Sequence, residues 1–309
     1  MCFNHTTHNT TKTAKDTVPS QGRRKLVTGL ASGGALVAAS GGLTSCATNA
    51  ATGRKQFIGF APGGAALSNM AAASWTEMKQ KTPTSNDPRY TNRLRNIGGR
   101  ISRGAGRSNQ KWDYAVFDTE DKNAFVLPGN RVGFYKGMMD FTDNDDQIAG
   151  IMGHEVGHVA GEHARERMSL QMASQVAVVG GSVLGSAALK GRCNKVPANQ
   201  RQSCLSGANR NAQMMVQALG LGAQIGLVLP YSRKHESESD LLGVNYMHKA
   251  SYDPYQAVKL WEKMAANNPN RQPEFLSTHP DPANRAQTIH DYIKRQEKMG
   301  SQGFKNINT

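Results

Sequence analysis

The chain has 309 residues, of which 38% are hydrophobic and 6% aromatic. This size allows a buried core and excludes a short peptide held together by disulfides. Its 37 Lys and Arg residues against 23 Asp and Glu give a formal net charge of +14, which suits an anionic lipid leaflet or an acidic polypeptide. A merely soluble basic protein has the same composition. The low aromatic content, with no basic run interleaved with aromatic residues, argues against nucleic-acid binding.

Residues 1–45 are predicted to be an export signal and not part of the fold. The basic residues 23–25 (RRK) precede a long uncharged run that contains several glycines. This pattern resembles a twin-arginine signal, and the general secretory route remains the alternative. The run ends at residues 43–46 (LTSC), which resemble a bacterial lipobox whose cysteine, Cys46, carries the lipid. An uncleaved membrane anchor is the competing interpretation.

Lipidation of Cys46 predicts that residues 46–60 form a polar tether between the lipid and the fold. Cys193 and Cys204 then remain as a pair, and outside the cytoplasm such a pair is expected to form a disulfide. The disulfide would close residues 193–204, a polar and Pro-containing stretch that is typical of an exposed insertion. Two free thiols in a reducing compartment are the alternative.

The sequence predicts an α+β fold, mostly helical, over residues 61–292. Strand-like alternation between residues 112 and 135 predicts a small antiparallel β-meander, and residues 293–309 are predicted as a C-terminal tail whose last nine residues are disordered. Helices are predicted at about 63–81, 88–103, from Thr142, 170–189, 211–229, 234–249, after Pro254 and after the Pro-rich loop near residue 280.

Thr142 is the predicted N-cap of the helix that contains "GHEVGHVAGEH", with Asp145 three residues later in a capping-box arrangement. The segment 211–229 is long and apolar enough to suggest a membrane span, but its Gln, Asn and Gly residues favour a buried or partly lipid-facing helix.

His154, Glu155 and His158 form the pattern H-E-x-x-H. On a helix this spacing places both imidazoles one turn apart on the same face, where neutral ring nitrogens bind zinc. Glu155 lies on a different side and is suited to hold a water and take its proton. Surface histidines on an amphipathic helix would explain the spacing but not the intervening glutamate.

A further ligand is required. The metzincin pattern needs a histidine at position 164, where this chain has Ala164, and His163 lies one residue out of register. Glu236 and Asp240 are four residues apart on a predicted helix, so one could bind the ion while the other accepts a hydrogen bond from a ligand histidine. Glu238 points elsewhere. Three acids that merely favour a helix N-terminus are the alternative.

Three motifs now occur in order: G-H-E-x-x-H-x-x-x-x-H, S-R-x-x-E-x-E-x-D-x-x-G and "LSTHPDPANR". Together they resemble the HtpX and CAAX-prenyl-protease family of gluzincin zinc metallopeptidases. With the lipoprotein-like start, the chain is most similar to the periplasmic members related to the beta-barrel assembly-enhancing protease. The resemblance covers roughly residues 46 to 290 and implies a zincin-type domain that binds one Zn²⁺ per chain.

The resemblance also implies individual roles. It makes His154, His158 and Glu236 the zinc ligands, Glu155 the general base and Asp240 the partner behind a ligand. His279 and Arg285 match a family His and Arg, for which it implies transition-state stabilisation or a fourth, gating zinc contact. A histidine on a surface loop is the alternative for His279. Ser239 departs from the family pattern, which usually has Ala there.

The stretch "KNAFVLPG" is predicted to be an edge strand that pairs with an extended substrate through Asn123, Ala124 and Phe125, or else a plain core strand. The resemblance implies unfolded or misassembled envelope proteins as substrates and the outer-membrane assembly machinery as a partner. Ala47 after Cys46 favours an outer-membrane lipoprotein facing the periplasm. The rival hypotheses are a non-catalytic envelope chaperone or assembly factor and a multispanning membrane protease.

Overall fold

The structure is a computed structural model and describes residues 46–174, 176, 193, 195–206, 231–266, 275–279 and 282–304. The predicted export signal, the apolar segment 211–229 and most of the segment 170–189 lie outside the described residues. Within the described part of the chain, no helix combines the length and the apolar character that a membrane crossing needs.

Helices dominate the described residues, which confirms the predicted mostly helical α+β fold. Most of the predicted helix bounds agree with the structure to within one or two residues, because apolar periodicity and proline positions determine them locally. Residues 163–174 are also helical. The named helices are α1 (Gly64–Lys81), α2 (Pro88–Gly104), α3 (Lys136–Phe141), α4 (Asp145–Ala160), α5 (Arg233–Lys249), α6 (Tyr255–Ala266), α7 (Phe275–Thr278) and α8 (Pro282–Lys298).

Two small sheets accompany the helices. The first is a hairpin of β1 (Cys46–Thr48) and β2 (Lys55–Phe57). The second contains β3 (Asp113–Phe117), β4 (Ala124–Leu127) and β5 (Arg131–Tyr135) in the order β3-β5-β4.

The prediction of an antiparallel meander is wrong for the second sheet. β4 and β5 are antiparallel, but β3 and β5 are parallel. The central residues of β5 are buried, so this strand gains most from a neighbour on each side and takes the middle position. β4 is left at the edge, where it faces the helix α4.

The N-cap of the helix α4 lies two residues later than predicted. The side chain of Asn144 accepts a hydrogen bond from the backbone N–H of Gln147 at 2.9 Å and is the N-cap. Thr142 instead ends α3, where its hydroxyl donates to the carbonyl of Met139. Two helices that follow each other this closely share the connecting residues, and the sequence pattern alone does not divide them.

Helices α4 and α5 cross in close contact at glycines. A Cβ atom added to Gly157 would lie 2.7 Å from the backbone oxygen of Ser239, and one added to Gly153 would lie 2.9 Å from that of Gly243. Real Cβ atoms do not approach backbone atoms this closely. The two glycines therefore allow the motif helix and the acidic helix to meet backbone to backbone.

We expect Gly157→Ala to lower the free energy of unfolding by about 1–3 kcal/mol, because backbone atoms of α5 cannot move away from the new methyl group. Gly99→Ala in α2 is the matched control, since its added Cβ would meet only the end of the Arg103 side chain at 3.8 Å. That change should raise stability by about 0.5–1 kcal/mol through higher helix propensity. Urea denaturation measures both, and a Gly157→Ala variant as stable as wild type would contradict the close crossing.

Residues 46–60 were predicted as a polar tether, whereas in the structure they contain the β1–β2 hairpin, which is packed on the end of α4. The side chain of Asn49 donates to the carbonyl of Ala160 at 3.0 Å, and that of Gln56 donates to the carbonyl of Gly161 at 2.6 Å. These contacts satisfy carbonyls at a helix C-terminus that have no partner within the helix.

The predicted tail is also partly ordered. The helix α8 continues to Lys298, and Phe304 is buried against His248, with ring centroids 4.0 Å apart. The prediction that the chain is disordered from residue 301 is therefore wrong as far as residue 304. Phe304 packs on a surface of the folded domain that the sequence does not reveal. The predicted disulfide between Cys193 and Cys204 is confirmed, with Cα atoms 5.7 Å apart.

Candidate metal centre and catalytic site

Four buried donor groups meet where α4, α5 and α7 converge. His154 and His158 come from α4, Glu236 from the first turn of α5, and His279 from the residue after α7. Each of the four is 2% exposed. One donor atom from each residue lies within 4.8 Å of all the others, and this is the group among the described residues that could hold a metal ion.

The spacing of these atoms fits a tetrahedral ion. Nε2 of His154 lies 2.9 Å from Nε2 of His158 and 3.1 Å from Nδ1 of His279. The carboxylate oxygens of Glu236 lie 3.4 Å from Nε2 of His154 and of His158, and 3.2 Å from Nδ1 of His279. Donors around zinc with bonds of about 2.0–2.1 Å are roughly 3.3 Å apart, so the described side chains match zinc in both chemistry and size.

The electrostatics of the group also favour a cation. Burial opposes charge on His154, yet its contacts with Asp240 and Glu236 raise its pKa to about 9. Burial likewise opposes ionisation of Glu236, but the three histidines hold the pKa of this carboxyl below its ordinary range. The same negative surroundings that attract a proton to His154 attract a metal cation in its place.

A second layer of contacts orients the ligands. Nδ1 of His154 donates to Oδ1 of Asp240 at 2.8 Å, which leaves Nε2 unprotonated toward the donor group. Arg285 donates to both oxygens of Asp240, at 2.7 and 2.6 Å, and to Oε2 of Glu236 at 3.0 Å. Its guanidinium group also lies 3.5 Å from the centre of the Trp261 ring. Arg285 thus fixes both carboxylates of α5.

Glu155 is next to the donor group but does not belong to it. The side chain is 1% exposed, and its Oε1 atom has no hydrogen-bond partner among the described residues. Nε2 of His279 lies 3.5 Å from this oxygen. Burial raises the pKa of the Glu155 carboxyl, while the nearby His279 and His154 and the backbone N–H of Val126 oppose that shift.

The sequence pattern of Peptidase family M48 matches residues 88–293, which contain all four donor residues and Glu155. The chain belongs to Peptidase family M48. In this M48 chain the zinc-type donor set is the buried group of His154, His158, Glu236 and His279.

Several curated proteins are similar to the M48 chain. The mitochondrial metalloendopeptidase OMA1 of Schizosaccharomyces pombe is 31% identical over 196 residues, which cover 63% of this chain and 50% of the relative. The beta-barrel assembly-enhancing protease of Escherichia coli is 26% identical over 228 residues, or 72% of this chain and 43% of the relative. Metalloprotease YcaL of Escherichia coli is 28% identical over 228 residues, which cover 74% of this chain and 79% of the relative. The chain thus spans half or less of the length of the first two.

Two residues of the M48 site were not identified from the sequence. Tyr231 is stacked on His158, with ring centroids 3.9 Å apart, and burial raises its pKa to about 12. Its position directly before the "SRKHESESD" motif was the available signal. His163, set aside as out of register for a ligand, has its Nδ1 atom 3.0 Å from Nδ1 of His158. Burial lowers the pKa of His163 to about 4 despite its bond to Glu238.

The predicted substrate residues lie on and beside the edge strand β4. Ala124 is fully buried, and Phe125 packs in an aromatic group with Trp75, Phe117 and Tyr135. Asn123 precedes the strand, and its carbonyl accepts from the backbone N–H of Tyr135. Among the described strands β4 pairs with β5 alone, so its other edge has no strand partner.

Proposed function

We propose that this chain is a zinc-dependent metalloendopeptidase that hydrolyses peptide bonds of unfolded or misassembled cell-envelope proteins. The observation that supports hydrolysis best is the buried Oε1 atom of Glu155, which accepts no hydrogen bond from the described residues and lies beside a four-donor metal group. A buried carboxylate oxygen without a hydrogen bond costs stability, so it is expected where chemistry requires it.

The residues divide the reaction between them. Zinc held by His154, His158 and Glu236 would supply a Lewis acid and lower the pKa of a water to about 7. Glu155 takes a proton from the attacking water at Oε1 and then gives that proton to the leaving amine of the peptide. Asp240 and Arg285 keep the ligands in place through their hydrogen bonds to His154 and Glu236.

His279 has one of two implied roles, and its geometry favours the second. Nδ1 of His279 is a member of the donor group, whereas its Nε2 lies 3.5 Å from Oε1 of Glu155. A catalytic zinc site keeps one position open, while a site with four protein donors is closed. We therefore propose that His279 occupies the fourth position at rest and leaves it when a substrate enters.

A cavity next to the site supports a peptide substrate. It has a volume of about 190 Å³ and lies between β4 and α4. Its lining includes the apolar residues Val126, Leu127 and Val159 together with His158 and Tyr231. We propose that an extended substrate pairs with the free edge of β4, near Asn123, Ala124 and Phe125, and places an apolar side chain in this cavity.

The cellular setting is proposed from the name of one relative and from the N-terminal sequence. One relative is named for beta-barrel assembly, which agrees with an envelope substrate and with the outer-membrane assembly machinery as a partner. We propose that residues 1–45 are removed on export and that Cys46, which begins β1 at an exposed position, carries a lipid facing the periplasm. In the full-length chain the sulfur of Cys46 is disulfide-bonded, so lipidation requires the release of that bond.

Cys46→Ala is expected to move the protein from the membrane fraction to the soluble fraction of a bacterial host, because the acyl chains supply most of the membrane affinity. Ultracentrifugation of lysates measures the distribution. Thr48→Ala, at another exposed position of β1, is the matched control and should remain with the membrane. If Cys46→Ala remains attached, an uncleaved anchor before residue 46 is the better account.

Substrate trapping tests the proposed function. The full-length Glu155→Gln variant, expressed in a bacterial host, should bind and retain unfolded envelope proteins that the zinc-loaded wild-type chain then cleaves. Mass spectrometry identifies the retained proteins. If the wild-type chain binds these proteins and leaves them intact, the domain is a binding module, which is the non-catalytic chaperone hypothesis. If folded proteins of other compartments are retained instead, the proposed substrate class is wrong.

A further inference from the structure

A chain of hydrogen bonds leaves the ligand His158 on the side away from the donor group. Nδ1 of His158 lies 3.0 Å from Nδ1 of His163, and Nε2 of His163 lies 3.0 Å from Oε2 of Glu238. His158 is 2% exposed and His163 is fully buried. Neither His163 nor Glu238 belongs to the donor group.

The proton positions along this chain follow from the ligand role of His158. Its Nε2 atom must present a lone pair to a metal ion, so its Nδ1 atom carries the proton and donates a hydrogen bond to Nδ1 of His163. His163 is then protonated at Nε2 and donates to Glu238. Each group has one defined role, and the carboxylate at the end sets the direction of the chain.

Arg54 binds the carboxylate of Glu238, at the end of this chain of hydrogen bonds. Its Nε and Nη2 atoms donate to Oε1 and Oε2 of Glu238 at 2.6 and 3.0 Å. The same guanidinium group donates to both oxygens of Glu166 at 2.7 and 2.6 Å. Glu166 in turn lies 3.0 Å from Nε2 of His235. The ring of His235 is stacked on the ring of His163, with centroids 4.4 Å apart.

Arg54 lies in the β1–β2 hairpin, outside the residues 88–293 that match the M48 family pattern. The hairpin is held on the end of α4 by the side chains of Asn49 and Gln56. An element that precedes the family domain in sequence therefore reaches a zinc ligand through three consecutive hydrogen-bonded contacts.

A stabilising ion-pair network is the simpler explanation, since Arg54 is only 15% exposed and bonds two carboxylates. That explanation accounts for Glu166, whose bonds do not lead to a ligand. It does not account for the uninterrupted path from Glu238 to Nδ1 of His158. Outer contacts of this kind fix the tautomer and the ring orientation of a metal-binding histidine.

We propose that Glu238 and Arg54 are positioning residues that act through His163 on the ligand His158, so that the N-terminal hairpin completes the zinc site. The inference rests on the metal site of the proposed function. It concerns metal binding, however, and is measured without hydrolysis.

The test compares two isosteric changes in the whole chain, Glu238→Gln and the control Glu166→Gln. In Glu238→Gln a single amide oxygen must accept the hydrogen bonds of both His163 and Arg54. The amide nitrogen, which is itself a donor, then lies against another donor group. We expect zinc binding to weaken by about 10–100-fold and the visible absorption spectrum of the Co²⁺-loaded protein to change, because the geometry at His158 relaxes. Competition with a chromophoric chelator gives the zinc dissociation constant. Arg54→Ala should act in the same direction, and Arg54→Lys should be intermediate because a point charge cannot hold both carboxylates bidentately.

Glu166→Gln is the matched control, because it loses the same kind of bond to Arg54 without interrupting the path to His158. It should lower thermal stability, change zinc affinity by less than about threefold and leave the Co²⁺ spectrum unchanged. Circular dichroism confirms that each variant is folded. Equal loss of zinc affinity in Glu166→Gln and Glu238→Gln, or wild-type affinity and spectrum in Glu238→Gln, would overturn the proposal. If the wild-type chain itself binds no zinc, both this inference and the proposed function fail.

Discussion

Glu155→Gln is expected to lower the rate of hydrolysis of an unfolded polypeptide by about 10²–10⁴-fold, the usual contribution of a general base. The amide has nearly the same shape as the carboxylate but cannot accept a proton from water. Glu155 is not a member of the donor group, so the variant should retain bound zinc. Steady-state cleavage of a fluorescent unfolded protein, together with metal analysis of the same sample, measures both quantities.

Glu77→Gln is the matched control, because it removes the same charge from an exposed position of α1. Its cleavage rate should equal that of the wild-type chain. If Glu155→Gln keeps its zinc and cleaves as fast as the wild-type chain, the hydrolase hypothesis is wrong, whatever the variant binds.

Glu236→Ala is expected to weaken zinc binding by more than about 100-fold, beyond the 10–100-fold cost typical of changes to outer contacts. The carboxylate of Glu236 contacts three histidines of the donor group, and its loss also leaves Arg285 with one carboxylate instead of two. Metal content after dialysis against a weak chelator, measured by atomic emission, gives the result.

Glu238→Gln is the comparison for this prediction, although it is also expected to change the zinc affinity. From the sequence alone it points away from Glu236 and Asp240, and a change there would be expected to leave zinc untouched. The structure connects it through His163 to His158, so Glu238→Gln should lose affinity yet still bind one zinc ion when zinc is in excess. If Glu236→Ala keeps full zinc occupancy after dialysis, the third ligand is a residue other than Glu236.

Much of the site followed from local sequence geometry. The H-E-x-x-H spacing fixes His154 and His158 on one helix face, because a helix turn is 3.6 residues. The four-residue separation of Glu236 and Asp240 places two carboxylates on one face of α5 in the same way. Gly153 and Gly157 lie in the same motif, and the structure shows that they allow α5 to approach backbone to backbone.

Other features depended on contacts between residues far apart in the chain. His154 and Asp240 are 86 residues apart and share a hydrogen bond of 2.8 Å. Arg54 and Glu238 are 184 residues apart. No periodicity links such positions, since their approach depends on how whole helices pack. The resemblance to known motifs supplied the first of these pairs, but not the second.

The sequence by itself therefore determined most helices of the described residues, the disulfide pair, the zinc-type ligands on α4 and α5, and the family of the chain. The helices and these ligands depend on spacing along a helix, the disulfide pair on the number of cysteines, and the family on motifs that occur in order. The tertiary structure alone decided the mixed strand order of the sheet, the placement of His279 in the donor group, which the motifs had left as one of two alternatives, and the packing of the hairpin against α4. These features arise from burial and from the pairing of distant polar groups, and both are properties of the packed molecule.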